Sequence, residues 1–248
     1  MKATIVIKSQ KICIDLQQFH DLSIPIDPSG NSASAWYCPA PIIEPVRNEY
    51  FTGSIKEGGA VNFMNVYFNP HGNGTHTECV GHISNEHHSI NQLKQNYFFL
   101  SQLISIEPTA IDNDRVITLD QLKSIRFEGG CEGLIIRTLP NNIAKRSMNH
   151  SNKNAAYMDK SCMNWLYNKG FRHIMIDTPS IDKEEDNGEL AAHHAWWNYP
   201  ESPRLDATIT ELIYVDNTIK DGLYFTNLQL AAIENDASPS RPLIFELL

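Results

Sequence analysis

The 248-residue chain lacks every cysteine pattern of a disulfide framework or a thiolate metal site. Its five cysteines (Cys13, Cys38, Cys79, Cys131 and Cys162) are odd in number and contain no CxxC pair, so they are read as free thiols. No apolar stretch approaches the roughly 20 residues of a spanning helix. Lys8, Lys11 and Asp15 interrupt the opening segment before a signal-peptide core can form. These absences predict a cytoplasmic protein with no membrane partner. Positive charge is also scarce: 20 Lys and Arg stand against 29 Asp and Glu, for a formal charge of −9 spread along the chain. That balance argues against a nucleic-acid partner and leaves small molecules as the natural ligands. Repeats, low-complexity tracts and Gly/Ser linkers are missing and the 13 prolines are scattered, so residues 1–248 are expected to form one domain.

What is present reads as α/β. Hydrophobic residues make up 42% of the chain and charged residues 20%, the balance of a protein that folds unaided. Short runs bounded by turn residues or charges predict strands over Thr4–Ile7, Val61–Phe68, Gly133–Thr138, His173–Asp177, Ala207–Val215 and Pro242–Leu248. Helical spacing predicts helices over Thr118–Ser124 and Asn154–Lys169, the second closed by Gly170. The acidic run Ile181–Leu190 predicts an exposed loop.

Chemistry concentrates in His71–His82, HGNGTHTECVGH, where three imidazoles and the Glu78 carboxylate share a glycine-rich segment. Imidazole nitrogen and carboxylate oxygen are donors that zinc, manganese and iron accept in catalytic sites that keep a position open for water. A bound divalent ion brings the pKa of such a water down to about 7, which supplies a nucleophile at neutral pH. Glycines let the backbone turn so that nearby side chains converge. A His-rich loop can also be merely solvated, which is the reading given to His87 and His88.

The run Gly74-Thr75-His76-Thr77-Glu78-Cys79-Val80-Gly81-His82 resembles the HxGTHxDxPxH signature of the cyclase family, whose best-known enzymes are the bacterial kynurenine formamidases. Asp21-Leu22-Ser23 resembles the family's early DLS, and Ile176–Asp182 its strand and turn ending in TPSID. The resemblance implies a swivelling β/α/β domain with a mixed sheet flanked by helices, and a homodimer or homotetramer. It implies a metal-dependent hydrolase of carbon–nitrogen bonds, arylformamidase-like, turning N-formylkynurenine into kynurenine and formate in tryptophan catabolism. The cofactor implied is Zn2+, one or two ions, with Mn2+ as the other candidate. Carried over residue by residue, His76, Glu78, His193 and Glu211 are metal ligands and His82 is the acid/base. His193 is preferred to His194 because the family usually uses the first of two adjacent histidines.

Several positions depart from the pattern. The signature's first His falls on Gly72, and His71 sits one residue earlier, so it reaches the metal only if the loop bulges. Glu78 replaces the bridging Asp, Val80 replaces the proline, and Asn198–Arg204 reads as an inserted turn. These departures keep two alternatives open: a hydrolase of another cyclic amide, lactone or ester on the same fold, or a metal-poor binding protein. Trp36, Tyr37, Trp196 and Trp197 are candidates to line an aromatic pocket, with Trp36, Trp196 and Trp197 assigned to the substrate. Phe63, in a strand pattern, is assigned to the core. Cys79 is read as a buried filler, and Asp177 and Ser180 as supports for a ligand or as turn residues.

Overall fold

The computed structural model describes residues 1–7, 10–92 and 96–248; Lys8, which interrupts the opening segment, lies outside the described residues. Its centre is an eight-stranded mixed sheet. Four strands run parallel in the order Phe98–Ile106, Gly133–Thr138, His173–Ile176 and Thr208–Glu211. The short strand His76–Glu78 then pairs antiparallel to Thr208–Glu211 on one side and to Ala237–Glu246 on the other. Gly222–Leu230 joins Ala237–Glu246 back to Phe98–Ile106, which closes these seven strands into a barrel, and His20–Asp21 adds to the Ala237–Glu246 strand. The α/β class and the mixed sheet implied by the cyclase resemblance are what the structure has, with the sheet closed rather than open.

The Gly133–Thr138 and His173–Ile176 strands are buried along their whole length, as expected for parallel strands covered on both faces. One side of the sheet packs against three short helices, α1 (Leu119–Ser124), α2 (Ser161–Lys169) and α3 (Ala191–Trp197), in a core that includes Leu122, Leu166, Ile174 and Trp196. Thr118 opens α1 with a capping box to Gln121. Gly170 ends α2 in the left-handed conformation, as its position predicts. The expected start of that helix at Asn154 is corrected. Asn152 and Asn154 take positive φ, and Tyr157–Met158 pairs as a strand with Val116–Ile117, so the helix begins only at Ser161.

Two other expectations are revised. Of Val61–Phe68 only Met64–Tyr67 is a strand, paired with Ile42–Pro45 in a two-stranded arm whose Ile42, Val66 and Tyr67 are exposed. Phe63, expected in the core, is 59% exposed and rests edge-on against Phe51. The Ala207–Val215 strand stops at Glu211 because Leu212 takes φ 53 and donates its N–H to the Thr178 carbonyl instead of the ladder. No helix among the described residues is long and apolar enough to cross a membrane.

Candidate metal centre

The site forms where the barrel's shortest strand meets its neighbours. Alternate residues of a strand share a face, so His76 and Glu78 point one way while Thr77 points the other, where its hydroxyl lies 2.7 Å from that of Thr210. In the antiparallel register Glu211 stands opposite His76, and the two side chains meet with Nε2 3.4 Å from Oε2. His76, Glu78 and Glu211 are all buried.

His71 arrives from the preceding turn. The Asn69 side chain accepts from the N–H groups of His71 and Gly72 at 2.9 and 3.0 Å, and the Asn69 carbonyl accepts from Asn73 at 3.1 Å. This wound turn leaves His71 Nδ1 3.1 Å from Glu78 Oε2. Gly72 cannot take the place of His71, since a Cβ there would sit 2.4 Å from Cys38 Sγ. After Glu78 the chain passes Cys79 into a tight turn over Val80–His82. Gly81 is required there by close approach: a Cβ would stand 2.1 Å from the His88 carbonyl oxygen. The turn brings His82 back over the cluster, its ring centroid 4.3 Å from that of His71.

The last imidazole comes from α3. Leu190, ahead of that helix, gives no side-chain cap, and the first N–H groups are satisfied from a distance: Asp182 accepts from Ala192 and His193 at 2.8 and 2.9 Å. The same carboxylate lies 2.6 Å from His193 Nδ1. The opposite nitrogen, Nε2, is then 3.0 Å from Glu78 Oε1 and 3.9 Å from Glu211 Oε1. His194 turns away, its Nδ1 3.0 Å from the Tyr199 carbonyl oxygen, so of the two adjacent histidines it is His193 that faces the cluster. The turn over Asn198–Arg204 serves this helix, for Arg204 donates to the carbonyls of Ala195 and Trp196 at its C-terminal end.

Glu78 therefore sits at the centre, one oxygen toward His193 and the other toward His71, with His82 Nδ1 at 3.9 Å. Burial works against its charge, and the imidazoles of His82, His193 and His71 overcome that penalty and hold the carboxyl well below the usual range. Burial likewise opposes charge on His71 and His193, yet their carboxylate partners raise both to about 10: Asp236 and Glu78 for the first, Asp182 and Glu78 for the second. Cys79 is pushed up to about 12, mainly by burial, which makes it an inert filler.

The donors fit a divalent ion. His76 Nε2 and Glu78 Oε2 are buried without a hydrogen bond, in spite of their close neighbours, and buried polar atoms of that kind call for a partner. Three overlapping groups of donors each lie within 4.8 Å of one another: His71, His76 and Glu78; Glu78, His82 and His193; and His71, His82 and Asp236. Nitrogen and carboxylate oxygen are the donors zinc takes in catalytic sites. Above them opens a cavity of about 340 Å³ whose walls include Trp36, Leu190, Ser180, His71, His82 and His193.

The structure thus brings together His71, His76, Glu78, His82, His193 and Glu211, and places Trp36 at the cavity. Trp196 and Trp197 are corrected. Both are fully buried in the core, and Trp197 Nε1 donates to the Ala207 carbonyl at 2.9 Å, one helical turn behind His193. Tyr37 is 71% exposed and does not line the cavity. Asp177 supports the strand ends, not the cluster: it accepts from the Thr138 hydroxyl and pairs with Lys145 at 2.8 Å. Ile181–Leu190 is not wholly exposed, since Ile181 and Asp182 are buried. Three residues escaped the sequence reading. Asn69 lay beside a recognised segment and Asp182 ended one, Ile176–Asp182, without being given a role, but nothing in spacing marked Asp236, 165 positions from the His71 it contacts.

The family model described as "Putative cyclase" matches residues 20–183. The chain belongs to this family. Among its relatives, the kynurenine formamidase of Bacillus cytotoxicus is 27% identical over 226 residues, covering 90% of this chain and 95% of that one. The kynurenine formamidase of Bacillus thuringiensis (strain Al Hakam) is 30% identical over 193 residues, covering 77% and 83%. Among solved structures, isatin hydrolase A from Labrenzia aggregata bound to benzyl benzoate aligns with a TM-score of 0.67 at 13% identity, over 92% of this chain and 93% of that one. A predicted metal-dependent hydrolase from Bacillus stearothermophilus aligns at 0.64 and 17% identity, over 92% and 98%. The two structures share the cyclase fold with this chain, and the named relatives and neighbours are hydrolases, which puts the chain in an enzyme family of that class.

Proposed function

We propose that this protein is a metal-dependent amide hydrolase of the arylformamidase type, cleaving the formyl C–N bond of an N-formyl aromatic amine, with N-formylkynurenine as the leading substrate. The observation that carries the reading is the pair of buried donors without hydrogen bonds, His76 Nε2 and Glu78 Oε2, beneath a cavity walled by Trp36. The names of the relatives supply the substrate class. His71, His76, Glu78, His193 and Glu211 would hold Zn2+, one ion or two, with Mn2+ as the alternative ion. A bound ion lowers the pKa of water to about 7 and polarises a carbonyl.

The chain's own groups do the rest. Trp36 offers an aromatic face to the ring of the substrate. Water adds to the formyl carbon, the C–N bond breaks, and the amine and formate leave. His82 moves the proton between them: its carboxylate contacts both run through Nδ1, to Asp236 at 3.4 Å and Glu78 at 3.9 Å. Nε2 is then the nitrogen left to take the proton from water and give it to the leaving nitrogen.

Metal analysis and a substrate panel test this. Protein purified without chelator should carry zinc or manganese and turn over N-formylkynurenine faster than isatin, a lactone or a simple ester. His76→Ala should lose the metal, while His82→Ala should keep it and lose about 10²–10⁴-fold in turnover, the usual weight of a general acid/base. Less than about 0.1 equivalents of metal in the wild type would overturn the reading in favour of a binding protein. Faster turnover of isatin or the lactone would move the assignment to a cyclic substrate.

A further inference from the structure

Asp236 is absorbed by none of the assignments above, although its side chain reaches into the cluster from the residue just before the Ala237–Glu246 strand. One oxygen, Oδ2, lies 2.8 Å from His71 Nε2 and 3.4 Å from His82 Nδ1. A single atom can reach both rings because they lie nearly face to face, 4.3 Å apart at 30°. We propose that Asp236 is a positioning residue that sets both rings at once, holding the displaced His71 in ligating position and turning His82 so that its Nε2 faces the reacting atoms.

Three observations carry this. An imidazole that ligates a metal is neutral and keeps one N–H, and a carboxylate on one nitrogen fixes which nitrogen offers its lone pair. With Asp236 on His71 Nε2, the lone pair falls on Nδ1, the atom 3.1 Å from Glu78 Oε2. Asp182 does the same for His193, from Nδ1, leaving Nε2 toward Glu78. The two rings that flank Glu78 are thus each backed by a carboxylate on the far nitrogen, an arrangement that orients metal-binding histidines and raises their basicity.

Second, His71 stands one residue out of the family's signature, and its other anchor is the backbone turn at Asn69. A ring reaching from a displaced position needs its far end fixed, and Asp236 is the group that touches it. Third, the ion-pair partners of the Asp236 side chain among the described residues are these two rings alone. Its backbone is held separately: its carbonyl accepts from Cys79 N–H at 3.0 Å, and the next residue, Ala237, pairs with Glu78 in the ladder. Removing the carboxylate therefore leaves the backbone of the site in place.

The 2.8 Å between Asp236 and His71 is a hydrogen-bond distance, which favours support from behind over direct ligation, although the same atoms form one of the three donor groups.

This inference rests on the metal-hydrolase reading, and a Co2+ titration of the full-length metal-free protein separates the two. Asp236→Ala should weaken Co2+ binding by about 10–100-fold, the usual cost of losing such a partner. It should lower kcat by at least about 10-fold with a smaller change in KM, because Trp36 and Leu190, the apolar part of the cavity wall, are not held by Asp236. Asp236→Asn, which keeps an acceptor oxygen and the shape, should recover part of both losses and show a Co2+ absorption band of wild-type position and intensity. A band that moves or changes strength in Asp236→Asn would make Asp236 a direct ligand and overturn the positioning role. Wild-type affinity and kcat in Asp236→Ala would overturn the inference alone. A wild type that binds no Co2+ would overturn the metal reading and this one with it.

Discussion

His193 is held from behind by Asp182, whose carboxylate lies 2.6 Å from Nδ1 while also accepting the first N–H groups of the helix that carries the ring. One side chain thus caps a helix and aims a ligand. Asp182→Ala should cost the metal-free protein about 0.5–2 kcal/mol of stability, as lost N-caps do. It should also weaken zinc by about 10–100-fold. Asp182→Asn keeps a capping oxygen, so it should recover most of the stability and only part of the affinity. Urea unfolding and competition with a zinc chelator measure the two losses separately, and unchanged affinity in Asp182→Ala would remove Asp182 from the site.

Trp36 and Trp197 should respond in opposite ways. Trp36→Ala should raise KM by about 2–12-fold, the value of one aromatic contact, with the unfolding midpoint near wild type. Trp197→Ala should cost about 3–5 kcal/mol of stability, the usual penalty for emptying a core site. Its folded fraction should keep a KM close to wild type. Steady-state kinetics beside thermal unfolding checks both, and a large KM effect at Trp197 would return that residue to the pocket.

Acid should expose His173. This ring is stacked 4.1 Å from Phe99 and its Nδ1 lies 2.9 Å from the Thr208 hydroxyl, and burial pushes its pKa down to about 3. The unfolded chain takes up this proton near pH 6.5 and the folded one does not until about pH 3. Stability is therefore fully present above about pH 6.5 and drains away as the pH falls toward 3. Between pH 7 and 4 the metal-free wild type should lose on the order of 3 kcal/mol more than His173→Gln. Urea unfolding at a series of pH values, with chelator throughout, measures the difference; parallel curves would contradict it.

Much of this was legible in the chain. The run His76–His82 marked where the ligand side chains lie, although it read as a glycine-rich loop and His76–Glu78 is a strand; Gly81 is needed there because its close approach to His88 leaves no room for a Cβ. The Gly133–Thr138 strand also read correctly, since its apolar centre Leu134-Ile135-Ile136 suits a strand covered on both faces. Phe98–Ile106 did not: Ser101, Gln102 and Ser105 interrupt its pattern, and the structure satisfies them with partners far along the chain, such as Thr226 for Ser101. Trp196 and Trp197 were misplaced because aromatic character does not say on which face of a helix a ring lies. Asp182 was quoted as the end of the TPSID turn, but the acidic run that follows it looked solvated and its capping role went unread. Asp236 was invisible because its role exists only once the last strand has docked beside His76–Glu78.

The pairing of Glu211 with His76, and of Ile209 with Glu78, has a consequence for assembly. Strand side chains alternate faces, so a slip of one position would send Glu211 to the far side of the sheet and bring a threonine or leucine into its place. The same slip would turn the core residue Ile209 to the opposite face. A chain aligned in that way could not gather these donors around one point. A bound metal would therefore stabilise only the strand alignment that brings the 71–82 segment, His193 and Glu211 together.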